Sequence, residues 1–167
     1  METGSLATIR EYVTTSYEPD CDYVDGTIEE RNSGEYDHAH LQATATSYLG
    51  NHSRERGIIV LLAPRIQVSP TRFRVPDVCV ILTDHPKEQI FRTPPFICIE
   101  ILSPEDRLSR VQEKMNDYLY FGVPYVWMLD PATRKAYRWT TKGMHEVAEL
   151  RTENPEIVVP LPALLAD

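Results

Sequence analysis

Two stretches of the chain repeat apolar residues every three to four positions, which predicts helices. The first covers residues 36–56 and stops before Gly57, a residue that suits a helix end. The second begins at residues 103–105 (Ser-Pro-Glu), because serine caps helices, proline suits the first helical position and acids suit the first turn; it stops at Gly122. A shorter helix is predicted over residues 6–16. The apolar positions of the two long helices are Leu41, Ala45, Tyr48, Leu49 and His52, and Leu108, Val111, Met115, Tyr118 and Leu119.

Short β-prone segments bounded by turn residues fill the rest of the chain and predict strands. The dipeptide at 25–26 (Asp-Gly) predicts a hairpin turn, since both residues tolerate positive φ, and residues 142–143 (Lys-Gly) predict another. The apolar, proline-rich tail at 155–167 is expected to pack on the body. This order predicts a single α/β domain over residues 1–167, with a central mixed β-sheet flanked by helices and additional β-hairpins. The predicted strands are IIVLLA, RIQVS, RFRV, PDVCVIL, FICIEIL, YVWMLD, KAYRW and HEVAEL.

One acidic residue interrupts the apolar strand FICIEIL. Glu100 is expected to be costly there unless it is paired or binds a metal. Asp77 stands at the start of the apolar strand PDVCVIL, so the two carboxylates converge if these strands are neighbours. Mg²⁺ commonly takes one or two carboxylates together with waters, and it would relieve the burial cost of both acids. The alternative is that Glu100 lies on an edge strand or pairs with an arginine or lysine, and the residues alone leave both interpretations open.

The second long helix offers a cation for these acids. Lys114 lies next to the buried stripe of this helix, and its long stem can cross apolar surface to reach them. An ordinary solvated helix lysine is the alternative. Arg110 stands four residues before Lys114 and, with Arg107, predicts a basic strip that could contact phosphate. Surface pairing with neighbouring acids would explain the same arginines.

Composition and charge narrow the function classes. The chain has 167 residues, 42% hydrophobic and 25% charged, as is usual for soluble globular proteins. No apolar run approaches the roughly 20 residues that span a bilayer, and the first residues show no signal-peptide pattern, so no membrane association is expected. The three cysteines lack CxxC spacing, which favours the cytoplasm. The net charge of −8 argues against a broad basic nucleic-acid surface, but not against a local basic cleft or a metal that meets phosphate.

The sequence lacks the motifs of several other metal-binding, phosphate-binding and catalytic sites. His38 and His40 are two residues apart, and residues at that spacing do not share a helix face, which argues against a zinc site. The sequence has neither a glycine-rich phosphate loop nor a Gly-x-Ser-x-Gly elbow. No cysteine has an evident histidine base, so nucleophilic catalysis is not expected.

The pattern VPD, ICIEILSPEDR, a later lysine and Y..FGVPYVWMLDP resembles the PD-(D/E)xK nuclease superfamily. More closely it resembles the Uma-type family of restriction endonucleases, formerly a domain of unknown function. CDYVDG is similar to that family's opening YELIDG, and DHAHLQATATSYL is similar to its H..I...L...L pattern. The resemblance covers about Leu6 to Pro131 and is most specific after Phe96. It implies a restriction-endonuclease-like fold and metal-dependent hydrolysis of phosphodiesters in DNA.

The resemblance also assigns metal-site and catalytic residues. Asp77 and Glu100 match the motif acids, which bind Mg²⁺ with the main-chain oxygen at Ile101, and Mn²⁺ is expected to substitute. Leu102 occupies the usual lysine position, and Lys114 fits a catalytic lysine that has moved to the following helix.

Four further residues are placed around that site as substrate or supporting groups. Asp22 falls on the family's hairpin glutamate, although it is one methylene shorter. His40 is assigned to the helix histidine that meets a water or phosphate. Tyr118, the tyrosine of the Y..FG motif, and Arg110 complete the set.

The sequence thus leads to the hypothesis of a Mg²⁺-dependent endonuclease acting on DNA. A homodimer would suit cleavage of both strands. Because fold does not fix function, a nuclease-like domain that no longer cleaves and serves in binding or regulation is the alternative. It is supported by the acidic net charge, the displaced lysine and the aspartate at position 22. A metal-dependent hydrolase of small phosphoesters is a third hypothesis.

Overall fold

The computed structural model describes residues 6–165. Residues 1–5, part of the segment without a signal-peptide pattern, and 166–167, the end of the predicted tail, lie outside the described residues. The helices are α1 (Ile9–Val13), α2 (Tyr36–Gly50), α3 (Ser53–Arg56), α4 (Leu108–Phe121) and α5 (Leu161–Leu165). The strands are β1 (Asp22–Val24), β2 (Thr27–Glu29), β3 (Ile58–Leu62), β4 (Ile66–Ser69), β5 (Arg72–Arg74), β6 (Val78–Leu82), β7 (Ile97–Ile101), β8 (Tyr125–Asp130), β9 (Lys135–Thr140), β10 (Gly143–Val147), β11 (Glu149–Thr152) and β12 (Ile157–Pro160).

A mixed six-stranded sheet organises the described residues, in the order β10-β9-β8-β7-β6-β3. Its β7 and β8 are parallel, and α4 makes the crossover between them, as parallel neighbours require. A smaller sheet has the order β2-β1-β5-β4, and β11 pairs with β12. The predicted mixed α/β architecture is therefore confirmed.

The two long helices cover opposite faces of the large sheet. Along β7, Ile97, Ile99 and Ile101 pack in the cluster that contains the buried side of α2, whereas Cys98 packs in the cluster that contains α4. Each buried aliphatic side chain contributes about 2 kcal/mol. Because strand residues alternate between faces, Glu100 shares the face of Cys98 and points towards α4. The sheet thus directs the unusual acid of β7 at the helix that carries Lys114.

The turn at the first hairpin has the predicted chemistry. Asp25 and Gly26 both have positive φ, at 50° and 96°, and they join β1 to β2 in antiparallel pairing. The predicted hairpin at residues 142–143 is likewise confirmed by the pairing of β9 with β10.

Three segments differ in detail from the predictions or extend them. The predicted helix start at residues 103–105 was wrong, because the Ser103 N–H donates to Asp106 Oδ2 at 2.8 Å in a turn, and α4 begins five residues later than Ser103. The helix predicted over 36–56 is interrupted after Gly50 and continues as the short α3. The tail packs on the body as expected, with Ile157 and Leu164 buried in the core.

No helix within residues 6–165 is long and apolar enough to cross a membrane. Cys21, Cys79 and Cys98 are buried and form no disulfide.

Candidate active site

Asp77 and Glu100 meet where β6 begins and β7 ends. The two strands are antiparallel neighbours, as the convergence of the acids requires. The Asp77 N–H donates to the Ile99 carbonyl at 3.1 Å, and Asp77 Oδ2 accepts the Ile101 N–H at 2.7 Å. These contacts fix the aspartate carboxylate against the end of β7. Because β7 lies between β6 and β8, the alternative that Glu100 sits on an edge strand was wrong.

Glu100 is buried among groups from α4. Its Oε1 accepts the Tyr118 hydroxyl at 2.8 Å and lies 3.1 Å from Lys114 Nζ. Burial and the nearby Asp77 together raise the pKa of Glu100 to about 8, although Lys114 acts in the opposite direction. The ionised form of this carboxyl is therefore costly in the metal-free protein unless a further cation offsets its burial.

Lys114 joins two acids rather than one. Its ammonium lies 3.0 Å from Asp22 Oδ2 and 3.1 Å from Glu100 Oε1, and it donates to the Val75 carbonyl at 2.9 Å. Burial lowers the pKa of Lys114, but Asp22 and Glu100 outweigh burial, and the net pKa is raised. The side chain is thus a buried, charged ammonium, and the alternative of a solvated helix lysine was wrong.

Asp22, the first residue of β1, completes this arrangement from the smaller sheet. Its Oδ1 accepts the Val75 N–H at 2.9 Å, and its Oδ2 lies 3.3 Å from Arg74 Nη1. Arg74 also binds Asp117 of α4, with Nε 2.7 Å from Oδ2. The hairpin is therefore tied to α4 through paired charges, and Asp22 reaches the cluster despite its shorter side chain.

Sequence reasoning missed two groups on the other side of Asp77. Arg31 Nη2 lies 2.7 Å from Asp77 Oδ1, and His38 Nε2 lies 3.3 Å from the same oxygen. His38 is 2% exposed, and neither ring nitrogen makes a well-oriented hydrogen bond to a described residue. Burial lowers the pKa of His38, but the neighbouring Asp77 outweighs this, so the net pKa is raised. Gln42, one turn after His38, donates to the Asp77 carbonyl at 2.8 Å, so α2 holds this aspartate as well.

The histidine that contacts the cluster is His38, whereas the predicted His40 does not reach it. His40 is exposed and stacks on Tyr36, with ring centroids 5.5 Å apart. A signal for His38 was present, because it precedes the buried Leu41 by three residues and Ala45 by seven, which places it on the packed face of α2. No comparable pattern marks Arg31.

The remaining predicted residues divide between the cluster and the surface. Tyr118 and the Ile101 N–H belong to the cluster. Arg110 is exposed on α4 and makes none of the described contacts with the three acids, so the structure does not bring it to the site.

The donor atoms fit an oxygen-binding cation in chemical type. Among residues 6–165, no group of three or more histidine, cysteine, aspartate or glutamate side chains is arranged to hold a metal. Mg²⁺ requires less, since one or two carboxylates with waters suffice. Asp77 and Glu100 supply two carboxylates beside the main chain of Ile101. The described side-chain contacts of Glu100 all involve Oε1, and its raised pKa shows that these contacts do not fully offset the burial of the carboxylate.

Comparisons with known proteins agree with this architecture. A family model named Uma2, described as "Putative restriction endonuclease", matches residues 10–166. A crystal structure of a "putative nuclease belonging to DUF820" from Anabaena variabilis is similar with a TM-score of 0.81 and 20% sequence identity, over 96% of this chain and 98% of that chain. At this identity the likeness shows the fold alone, and it confirms the predicted fold. No curated protein sequence matches the chain.

Proposed function

This chain belongs to the Uma2 family, as its motifs indicated, and from that premise we propose that it is a Mg²⁺-dependent endonuclease that hydrolyses phosphodiester bonds of DNA. The family description supports a nuclease. The observation that carries the proposal is the Lys114 ammonium, held 3.1 Å from Glu100 at the sheet end where Asp77 also lies. The desolvation cost of a buried ion pair largely offsets its attraction, so such pairs add little to stability. They are, however, common in functional sites. The cluster therefore favours a chemical role.

The roles follow from the chemistry of each group. Asp77, Glu100 and the main-chain oxygen of Ile101 would hold Mg²⁺ or Mn²⁺. When bound, Mg²⁺ supplies Lewis acidity and makes water more acidic. Lys114, charged because of its raised pKa, donates hydrogen bonds and positive charge to an attacking water or to the phosphate oxygens in the transition state. Tyr118 fixes the orientation of Glu100 by its 2.8 Å hydrogen bond.

A second function, an inactive nuclease-like domain that binds or regulates, has an observation in its favour. The three acids already face three cations, since Asp77 contacts Arg31, and Asp22 contacts both Arg74 and Lys114. A site that needs a divalent cation would be expected to carry excess negative charge. A DNA nicking assay combined with melting temperatures in Mg²⁺ separates the two functions.

We extend the proposal to partners and compartment. DNA is the substrate class that the family description suggests. A single domain over residues 1–167 that acts as a homodimer could reach both strands of a duplex. The buried, unpaired cysteines are compatible with a reducing compartment, and we propose the cytoplasm.

A plasmid nicking assay with Mg²⁺ and Mn²⁺ tests the proposal, with Glu100→Gln purified identically as the control. Cleavage by the parent, lost in the variant and in EDTA, is the expected result. Melting temperatures are measured in parallel, because a cation bound only by the folded state must stabilise it. No cleavage over several DNA substrates, together with no thermal shift at millimolar Mg²⁺, would favour the inactive domain.

A further inference from the structure

Arg31 contacts the carboxylate oxygen of Asp77 that accepts no hydrogen bond from the backbone of residues 6–165. It lies in the connector between β2 and α2, and its side chain is 8% exposed. Its Nη2 contacts Asp77 Oδ1 at 2.7 Å, and its Nη1 donates to the Asp20 carbonyl at 3.3 Å. The second carboxylate oxygen, Oδ2, is engaged by the Ile101 N–H. The oxygen that Arg31 holds is thus the one that is not committed to the strand.

The other cations of the cluster are engaged elsewhere. Lys114 pairs with Asp22 and Glu100, and Arg74 pairs with Asp22, Glu29 and Asp117, among others. Of the lysines and arginines within residues 6–165, Arg31 alone lies within ion-pair distance of Asp77. Arg31 therefore neutralises the same carboxylate that a divalent cation would require.

We propose that Arg31 is a built-in competitor of the divalent cation, whose guanidinium holds Asp77 in the metal-free protein and leaves Oδ1 when the cation binds. The inference rests on the proposed metal-dependent function. Two cations at one carboxylate oxygen repel each other strongly in a buried site, where the effective dielectric constant is far below that of water. Arg31 and the cation therefore do not bind Asp77 at the same time. The affinity for the metal includes the free-energy cost of displacing Arg31.

The exchange is a movement of the Arg31 side chain and not of the connector. The neighbouring Asn32 donates to Asp106 Oδ1 at 2.9 Å, and its carbonyl accepts the Ser103 hydroxyl at 3.2 Å. These contacts tie the connector to the loop before α4. The guanidinium has rotatable bonds between it and this fixed backbone, so it can leave Asp77 while the backbone stays in place.

Competition makes opposite predictions for the metal-free and metal-bound states. Removing the guanidinium leaves His38 as the remaining partner of the buried Asp77 Oδ1, so the metal-free protein loses stability. The same change removes the competitor, so Mg²⁺ binds more tightly. A residue with a purely structural role would lower stability without tightening metal binding.

The test measures Mg²⁺ affinity by calorimetry and melting temperature in EDTA and in Mg²⁺, for the parent, Arg31→Met and Arg31→Lys. Arg31→Met is expected to melt lower in EDTA, to bind Mg²⁺ about tenfold more tightly and to show a larger Mg²⁺-induced thermal shift. Arg31→Lys keeps a positive charge, so its Mg²⁺ affinity and its melting temperature are expected to stay close to those of the parent. Arg65→Met is the matched control, because it breaks a partly buried pair, Arg65 with Asp20 at 2.8 Å, that includes none of the three acids. If Arg31→Met does not fold, Arg31→Gln carries the same expectation.

The outcomes separate this inference from the proposed function. Mg²⁺ affinity that is equal or weaker in Arg31→Met, with clear binding by the parent, overturns the competitor and leaves the nuclease proposal standing. Equally tight binding by the Lys and Met variants also overturns it, because charge would not be the cause. If neither the parent nor Arg31→Met binds Mg²⁺ or Mn²⁺, the metal-dependent function itself fails, and the competitor fails with it. Binding by Arg31→Met alone supports the competitor.

Discussion

Replacing Glu100 with glutamine is expected to remove a pH-dependent loss of stability from the metal-free protein. Burial raises the pKa of Glu100 from 4.5 to about 8. A carboxyl whose folded pKa is raised stabilises the fold fully below its unfolded pKa, and this stabilisation is lost as pH rises through the folded pKa. At about 1.4 kcal/mol per pKa unit, the difference corresponds to about 5 kcal/mol over the whole range. About 3 kcal/mol of it falls between about pH 5.5 and about pH 8.5.

The assay is urea unfolding in EDTA at these two pH values, followed by circular dichroism. Glutamine stays uncharged, so the variant's free energy of unfolding lacks this loss. The difference in free energy of unfolding, Glu100→Gln minus parent, should therefore be about 3 kcal/mol larger at the higher pH than at the lower pH. Arg65→Met is the control, because it breaks the pair of Arg65 with Asp20 and touches none of the three acids. Hydrogen bonds to Asp20 raise the pKa of Arg65 above its usual value, so Arg65 stays charged at both pH values. The cost of Arg65→Met should therefore be the same at both pH values.

The result that would refute this reasoning is equal pH dependence in the parent and Glu100→Gln. It would mean that Glu100 is ionised throughout the range and that its contact with Lys114 outweighs burial. The burial of Glu100 would then give no electrostatic reason to expect a further cation at this site.

Two further predictions concern residues around these acids. Lys114→Ala should lower DNA cleavage by about 10²- to 10³-fold while changing Mg²⁺ affinity less, because preorganised charge acts on the transition state; parental turnover would contradict the catalytic role. His38→Asn should cost about 1–3 kcal/mol in urea unfolding, since it disturbs a buried group at Asp77, whereas His40→Asn on the exposed face should stay within about 0.5 kcal/mol; equal costs would contradict the placement.

The sequence by itself determined the helices and strands and identified the charged residues that interrupt their apolar pattern. Helix and strand periodicity and the Asp25-Gly26 turn depend on neighbours a few positions apart, so they can be predicted locally. Glu100 was conspicuous because an acid in an apolar strand needs a partner. The spacing of His38 to Leu41 places it on the packed face of α2, a local signal that distinguishes it from His40.

Only the tertiary structure decided which partner each acid has. Arg31 and Asp77 are 46 residues apart, and Lys114 and Asp22 are 92 residues apart. No local period links such pairs, because they meet only after strand order and helix packing are set. The turn at Ser103 that delays α4 also depends on a specific hydrogen bond rather than on propensity. The charged groups could be found in the sequence, whereas their pairing follows from topology, which brings distant residues to one end of the central sheet.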